Sequence, residues 1–363
     1  MKKYLIICLL FFSFLFITES KASANYGIIQ DGRTLVPVRT VIESFNVNVD
    51  YDKKEKSISI NNQYKLFIGS KMIRKDGQII KEMDIMPKLI NGVTYVPVRD
   101  VADILGTSIH WNQTKKQIEY NVNGKNYTLS AYSESVVSKP KVSYKPQKIS
   151  TNGKVHNVNV VHINLLAPNT TMHVELANNK LHSVSPLATI AKSHNAKAAI
   201  NGNFFDAYAG SNQVYNAVVM NGQLKNWSLG TYSLFYYTKD GKAGIVDGNQ
   251  FMNLYNQGNI QEALELGPRL VVNGQIKVNF NGFRDQKILT SSAQRSAVGV
   301  LPNNQVIFIT TNRATIRELA SIMKQLGAVD AMNFDGGASS GLYYNGKYIT
   351  KPGRNIAVAL LVK

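Results

Sequence analysis

The sequence predicts an α+β protein of two domains. Three observations predict it: a sixty-residue internal repeat in the first third, a Ser-, Lys- and Pro-rich stretch near residue 150, and short alternating strands with a few helices thereafter. The expected layout is a leader at 1–24, a small repeat-built α+β module at 25–128, a linker at 129–153 and a mixed-sheet α+β domain at 154–363. With 363 residues, 44% of them hydrophobic, the chain can bury two cores.

The leader reads MKKYLIICLLFFSFLFITESKASA: two lysines, an apolar run from Tyr4 to Ile17, and small residues at Ala22 and Ala24. This is the pattern of a secretory signal cut after Ala24. The run is shorter than the roughly 20 residues of a membrane span, and no later stretch is long and apolar enough to span, so no integral membrane segment is expected after cleavage. The only cysteine, Cys8, lies inside the leader, which leaves the rest of the chain without disulfides or cysteine-ligated metals. The net charge of +18 favours polyanionic surroundings. There is no basic helix, recognition motif or aromatic-basic stacking array, so nucleic acid is not an expected partner. A secreted, extracellular or wall-associated protein facing a phosphate-rich envelope polymer is.

The repeat begins with DGRTLVPVR at Asp31 and again with NGVTYVPVR at Asn91. Pro37 matches Pro97, Arg39 matches Arg99, Val49 matches Ile109 and Tyr51 matches Trp111. Each copy predicts a short strand ending at Val-Pro-Val-Arg, an amphipathic helix, a polar turn and an alternating strand. Proline there suits a strand end or edge, because it cannot donate to a ladder. Both copies resemble the repeats of the copper amine oxidase N-terminal-like domain, which implies an attachment or interaction module. The name brings no copper with it, since the region holds a single histidine, His110, and copper(II) favours imidazole ligands. Arg39 and Arg99 either pair with acids inside the module or face an anionic partner.

From Leu129 to Gly153 no apolar period is sustained, and a semi-extended linker is expected. Beyond it, VHNVNVVHINL reads as a strand and SPLATIAKSHN as a short helix opened by Ser185. AKAAIN is a small-residue strand that breaks at Asn201-Gly202, and GPRLVVNGQIKV is a hairpin turning at Asn273-Gly274. QRSAVGVLPNNQVIFITT supplies two further strands. TIRELASIMKQLG is the clearest helix, with a Thr315/Glu318 capping box, an apolar face and Gly327 as its stop. The strand AVDAMNF follows and delivers Asp335 just past its end.

Asp335 precedes Gly336, Gly337, Ala338, Ser339 and Ser340, whose small side chains would let backbone amides and hydroxyls converge on an anion. AAINGNFFDAYAG delivers Asn201, Asn203 and Asp206 beside Phe204 and Phe205, groups suited to a sugar. In SSAQRSAVGV, Arg295 offers a planar guanidinium for a phosphate. Taken singly, each stretch also reads as an ordinary turn, core pair or surface cation.

The ordered set AINGNFFD, GPRLVVNG, QRSAVG and NFDGGASSGL resembles the phosphodiester glycosidase family over nearly all of the chain after His156, with Ala338 where the family often has a third glycine. The resemblance implies cleavage of a sugar-1-phosphodiester, with N-acetylglucosamine the expected sugar, to free sugar and phosphomonoester. It implies catalytic roles for Asp335 and Asp206. Arg295 and the amides of Gly336 and Gly337 would bind the phosphate, with Ser339 and Ser340 lining it and Asn201 and Asn203 positioning the ring. The partner expected is a phosphorylated glycan or sugar-phosphate polymer of the cell envelope. The alternative is a non-catalytic wall or matrix protein that binds such glycans. His162, His173, His182 and His194 lack metal-site spacing; no cofactor is expected, and a single divalent cation near Asp335 stays open.

Overall fold

The computed structural model describes residues 24–208, 210–227 and 232–363, so the expected leader, Ala24 apart, lies outside the described residues. In the first unit, strand Arg33–Pro37, helix Val38–Ser44 and strands Val49–Asp52 and Ser57–Ile60 follow in order. Strand Val93–Pro97, helix Val98–Leu105 and strands Ile109–Asn112 and Gln117–Val122 then repeat that order. Pro37 and Pro97 close their strands and stand at the helix N-caps, where the missing N–H costs no ladder bond. The two proline strands pair antiparallel, with Val36 opposite its repeat equivalent Val96. Val41 and Ile42 from the first copy and Val101 and Ile118 from the second share one buried cluster.

The stretch 129–153 is not a free linker. It finishes strand Lys125–Ser133, forms the short helix Glu134–Val137, and then builds strand Val142–Thr151, paired residue for residue with Lys154–Asn164. Its polar composition reflects its place at the edge of a seven-stranded sheet; there Pro146 needs no ladder partner for the N–H it lacks. The second unit therefore starts near Val142. Tyr26 joins the two units through a 2.5 Å hydrogen bond from its hydroxyl to the Leu166 carbonyl.

The second unit consists of three sheets: a seven-stranded one containing Ala293–Leu301, Gln305–Ala314 and Asp330–Asn333, a five-stranded one containing Ala198–Asn201 and Val358–Val362, and another containing Ser233–Thr238 and Ile260–Leu266. Among the described residues its ladders are all antiparallel, not mixed; the one parallel pair, Tyr26–Gln30 with Lys125–Ser133, belongs to the first unit. Hairpins and neighbouring returns, rather than repeated strand–helix–strand crossovers, connect most of its strands.

All three sheets send side chains into one cluster that includes Phe308, Met332, Val174, Leu360, Phe235 and Leu264. Each sheet carries a helix on its other face: Ile316–Gln325 over the first, Leu187–Ser193 over the second and Gly248–Tyr255 over the third. The capping box of the first of these forms as its sequence predicts, with Thr315 accepting from the Glu318 amide and Glu318 accepting from the Thr315 amide. Ser185 does not open Leu187–Ser193; Pro186 is its N-cap, and Ser185 bridges to Ile356. Seven short α-helices among many strands make the described chain mostly β, within the α+β class at the coarse level. No helix among the described residues is long and apolar enough to cross a membrane.

Buried polar groups join the sheets. Glu262, wholly buried, accepts from the Val174 amide at 3.1 Å and the Asn221 amide at 3.3 Å. Burial pushes its carboxyl up to about 8 against those two hydrogen bonds. The folded state thus holds a proton that the unfolded chain has lost between about pH 4.5 and 8, and this group's contribution to stability falls as pH rises through that window. The expected slope is up to ~1.4 kcal/mol per pH unit. Glu262→Gln should flatten the decline, as read from denaturant midpoints at pH 5, 6.5 and 8.

Candidate active site at the junction of two sheets

Strand Ala198–Asn201 is buried along its whole length and ends at Asn201, whose side chain crosses from one sheet to another. Its Nδ2 donates to the Asp335 carbonyl at 2.7 Å, and its Oδ1 accepts from the Ser296 hydroxyl at 2.7 Å and the Gly341 amide at 3.0 Å. Asn201 therefore holds the Asp335 loop in place, with both polar atoms engaged. Asn203 is committed through one atom only: its Nδ2 donates to the carbonyls of Tyr215, Ala217 and Glu265 at 3.0 to 3.3 Å, while its buried Oδ1 has no hydrogen-bond partner among the described residues.

Asp335 sits one residue past the strand Asp330–Asn333 and its aromatic follower Phe334, half-buried. Burial pushes its carboxyl up to about 7, opposed by the Ser339 hydroxyl, the charge of Arg354 and the Gly336 amide. Three of the loop amides are engaged within the loop. Gly336 turns on Asp335 itself, while the amides of Ser339 and Ser340 donate to the carbonyls of Gly336 and Gly337. Gly337, at φ +59°, needs the left-handed conformation. A Cβ on Gly336 would stand 3.1 Å from the Gln294 carbonyl, so the loop lies close against the strand that carries Arg295. Ala338 faces solvent and accepts the Gly353 amide at 2.8 Å.

Arg295 is buried, and its Nε and Nη2 donate to backbone carbonyls of Ala314, Lys287 and Ser291 at 2.6 to 3.0 Å. Those bonds fasten the segment before its own strand, leaving Nη1 as the edge turned toward Gly336. Asp206 accepts from the Tyr208 amide at 3.2 Å and the Ser211 hydroxyl at 2.8 Å, closing its own turn.

Two groups absent from the sequence-predicted set complete the site. Arg354, held near Asp335 by the Gly353–Ala338 hydrogen bond, supplies a positive charge that draws the Asp335 carboxyl down. Its Nη2 donates to the Tyr208 hydroxyl at 3.0 Å, with the guanidinium 5.0 Å from the centre of that ring. Tyr208 is 82% exposed, so Arg354 bridges the Asp335 loop and an outlying aromatic on the Asp206 loop. The signal in the sequence is KPGRN, a Pro-Gly turn that ends in a cation in the last loop of the chain.

Residues 194–363 match the family model described as phosphodiester glycosidase, and residues 18–120 match the copper amine oxidase N-terminal domain. Among solved structures, the catalytic domain of zebrafish N-acetylglucosamine-1-phosphodiester alpha-N-acetylglucosaminidase, auto-inhibited by its pro-peptide, is similar at a TM-score of 0.53 and 16% identity, covering 62% of this chain and 84% of that one. A hypothetical protein from Synechocystis is similar at 0.52 and 15% identity, over 93% of this chain and 95% of that one. No curated protein matches the sequence.

The saturated hydrogen bonding of Asn201 has a direct consequence. Asn201→Ala strands a buried hydroxyl, amide and carbonyl, and should cost about 3 kcal/mol. The loss is expected in the denaturant midpoint with an unchanged slope; a purely sugar-contacting residue would leave the midpoint where it was.

Proposed function

We propose that this chain, whose residues 194–363 form a phosphodiester glycosidase domain behind a copper amine oxidase N-terminal domain, hydrolyses sugar-1-phosphodiesters of cell-envelope glycans, N-acetylglucosamine-1-phosphodiesters first among them. The observation that carries the reading is Asp335, a desolvated carboxylate fixed at a sheet junction and faced by Arg354. Hydrolysis breaks the bond between C1 and the bridging phosphate oxygen. Water supplies hydroxide to C1 and the proton to the phosphate, giving free sugar and a phosphomonoester.

In this reading Arg354 takes the phosphodiester, exchanging the Tyr208 hydroxyl for a phosphate oxygen in a stronger charge-assisted bond. Nη1 of Arg295 faces the same loop and adds positive potential, while Asp335 in its ionised form stabilises the developing oxocarbenium ion or activates water. Phosphate is a fair leaving group, so charge neutralisation outweighs general-acid help. Asp206, on the Tyr208 loop, is the second carboxylate of the proposal, as acid or as a ligand for a sugar hydroxyl. A secreted or wall-associated location fits the leader-like residues 1–24 and the charge of +18, which favours residence near a phosphate-rich polymer.

Because the working form of Asp335 is ionised, turnover should climb as pH rises through about 7 and level off above it. Release of N-acetylglucosamine from UDP-N-acetylglucosamine or an alkyl phosphodiester is the assay. Asp335→Asn should abolish release with the fold intact, and Arg354→Ala should lower kcat/KM about 10- to 100-fold. Undiminished release by folded Asp335→Asn overturns the assignment. No release by the parent, with binding to phosphorylated wall polymer retained, favours a glycan-binding protein.

A further inference from the structure

The two repeats of the first unit build two equivalent pockets of unequal size. Because Val36 pairs with Val96, the start of each copy's helix sits against the start of the other copy's strand. One pocket is lined by Pro37, Arg39 and Tyr51 with Val93 and Thr94, the other by Pro97, Arg99 and Trp111 with Arg33 and Thr34. The first encloses about 60 Å³ and the second about 270 Å³.

The two arginines differ in their ion pairing. In the first copy Arg39 Nε lies 3.3 Å from Glu43, one turn along its helix. The residue equivalent to Glu43 is Asp103, and Lys81 takes it, along with Asp100 at 2.8 Å. Arg99 makes no ion pair among the described residues and stands exposed at the pocket. The aromatic at the equivalent position is enlarged from Tyr51 to Trp111, and the indole N–H is tied to Gln113 at 2.7 Å.

The lining holds three cations, Arg33, Lys81 and Arg99, and three carboxylates, Glu82, Asp84 and Asp100. Arg33 and Asp84 are paired at 3.0 Å. A balanced set of donors and acceptors around an indole suits hydroxyl groups better than a polyanion, since a phosphate on Arg99 would face the carboxylates too. Sugar rings present an apolar C–H face and a rim of hydroxyls, the match for such a surface.

We propose that this pocket is a carbohydrate-binding site for an uncharged glycan segment, with a sugar ring on Trp111 and its hydroxyls shared between Arg99 and the neighbouring carboxylates. The site lies in the first unit and is independent of the Asp335 chemistry.

The full chain has two tryptophans, so Trp227→Phe leaves Trp111 as the reporter indole. Its emission would be titrated with chitotriose, cellotetraose, maltotetraose and mannotriose, and with poly(glycerol phosphate). A saturable change with at least one neutral oligosaccharide is expected. Arg99→Ala, at an exposed position that leaves the core untouched, should weaken it about tenfold or more, and Arg39→Ala should leave it unchanged. No saturable change with any neutral oligosaccharide overturns the proposal. So does a response confined to poly(glycerol phosphate), or binding indifferent to Arg99.

Discussion

Three sheets around a common apolar centre cannot close on one another by ladder hydrogen bonds, so the seams between them depend on buried polar side chains. Asn201 spans the seam between its own sheet and the one that bears Ser296 and Asp335. Glu262 spans the seam between its sheet and the one that bears Val174. Arg269 spans the third, reaching Asp247 at 2.8 Å and the Ile245 carbonyl at 3.1 Å while also pairing with Asp330 on its own sheet. Each such group is worth little net if fully bonded and costs much if orphaned. Seams built this way specify one arrangement of the sheets, and the Asp335 loop inherits its position from the first of them.

That inheritance explains the electrostatics of the site. A carboxylate at the tip of a free loop would be hydrated and titrate near its ordinary value. Asp335 is carried into a seam by the Asn201 bond to its own carbonyl, and burial there raises it to about 7 although a hydroxyl, an amide and a guanidinium all pull the other way. Desolvation outweighs these three partners, and the countercharge, Arg354, also donates to Tyr208. An anion arriving at Arg354 would therefore find a cation whose present partner is a neutral phenol.

Much of the fold is legible in the sequence where periodicity and turn chemistry agree. The capping box of Thr315 and Glu318, the Asn273-Gly274 hairpin and the break at Asn201-Gly202 are local features, and each forms where expected. The strand Val142–Thr151 is hard to read because an edge strand needs little apolar character, although the turn to its partner carries Asn152-Gly153, the same pair that marks the Asn273-Gly274 hairpin. Within the site, Asp335 is readable from its glycine-rich surroundings. The commitments of Asn201 and Asn203 are not, because an asparagine that binds a ligand and one that binds a neighbouring strand have the same sequence. Arg354 and Tyr208 meet across 146 residues of chain, a contact no local pattern announces.

The first unit obeys the opposite logic, and the comparison shows what a repeat permits. Its two copies share a frame fixed by prolines at the ends of paired strands, so Arg39 and Arg99 start from equivalent positions. One helical turn later the copies differ by a methylene, Glu43 against Asp103, and a lysine on the neighbouring strand Gln78–Glu82 captures the shorter acid. The first arginine is then paired within its own helix, and the second has no ion pair among the described residues. Duplication supplied two equivalent placements, and a redistribution of surface ion pairs, each contributing little to stability, leaves one arginine paired and the other free among the described residues. A seam residue such as Asn201 has no such latitude, because every atom it could turn outward is already holding two sheets together.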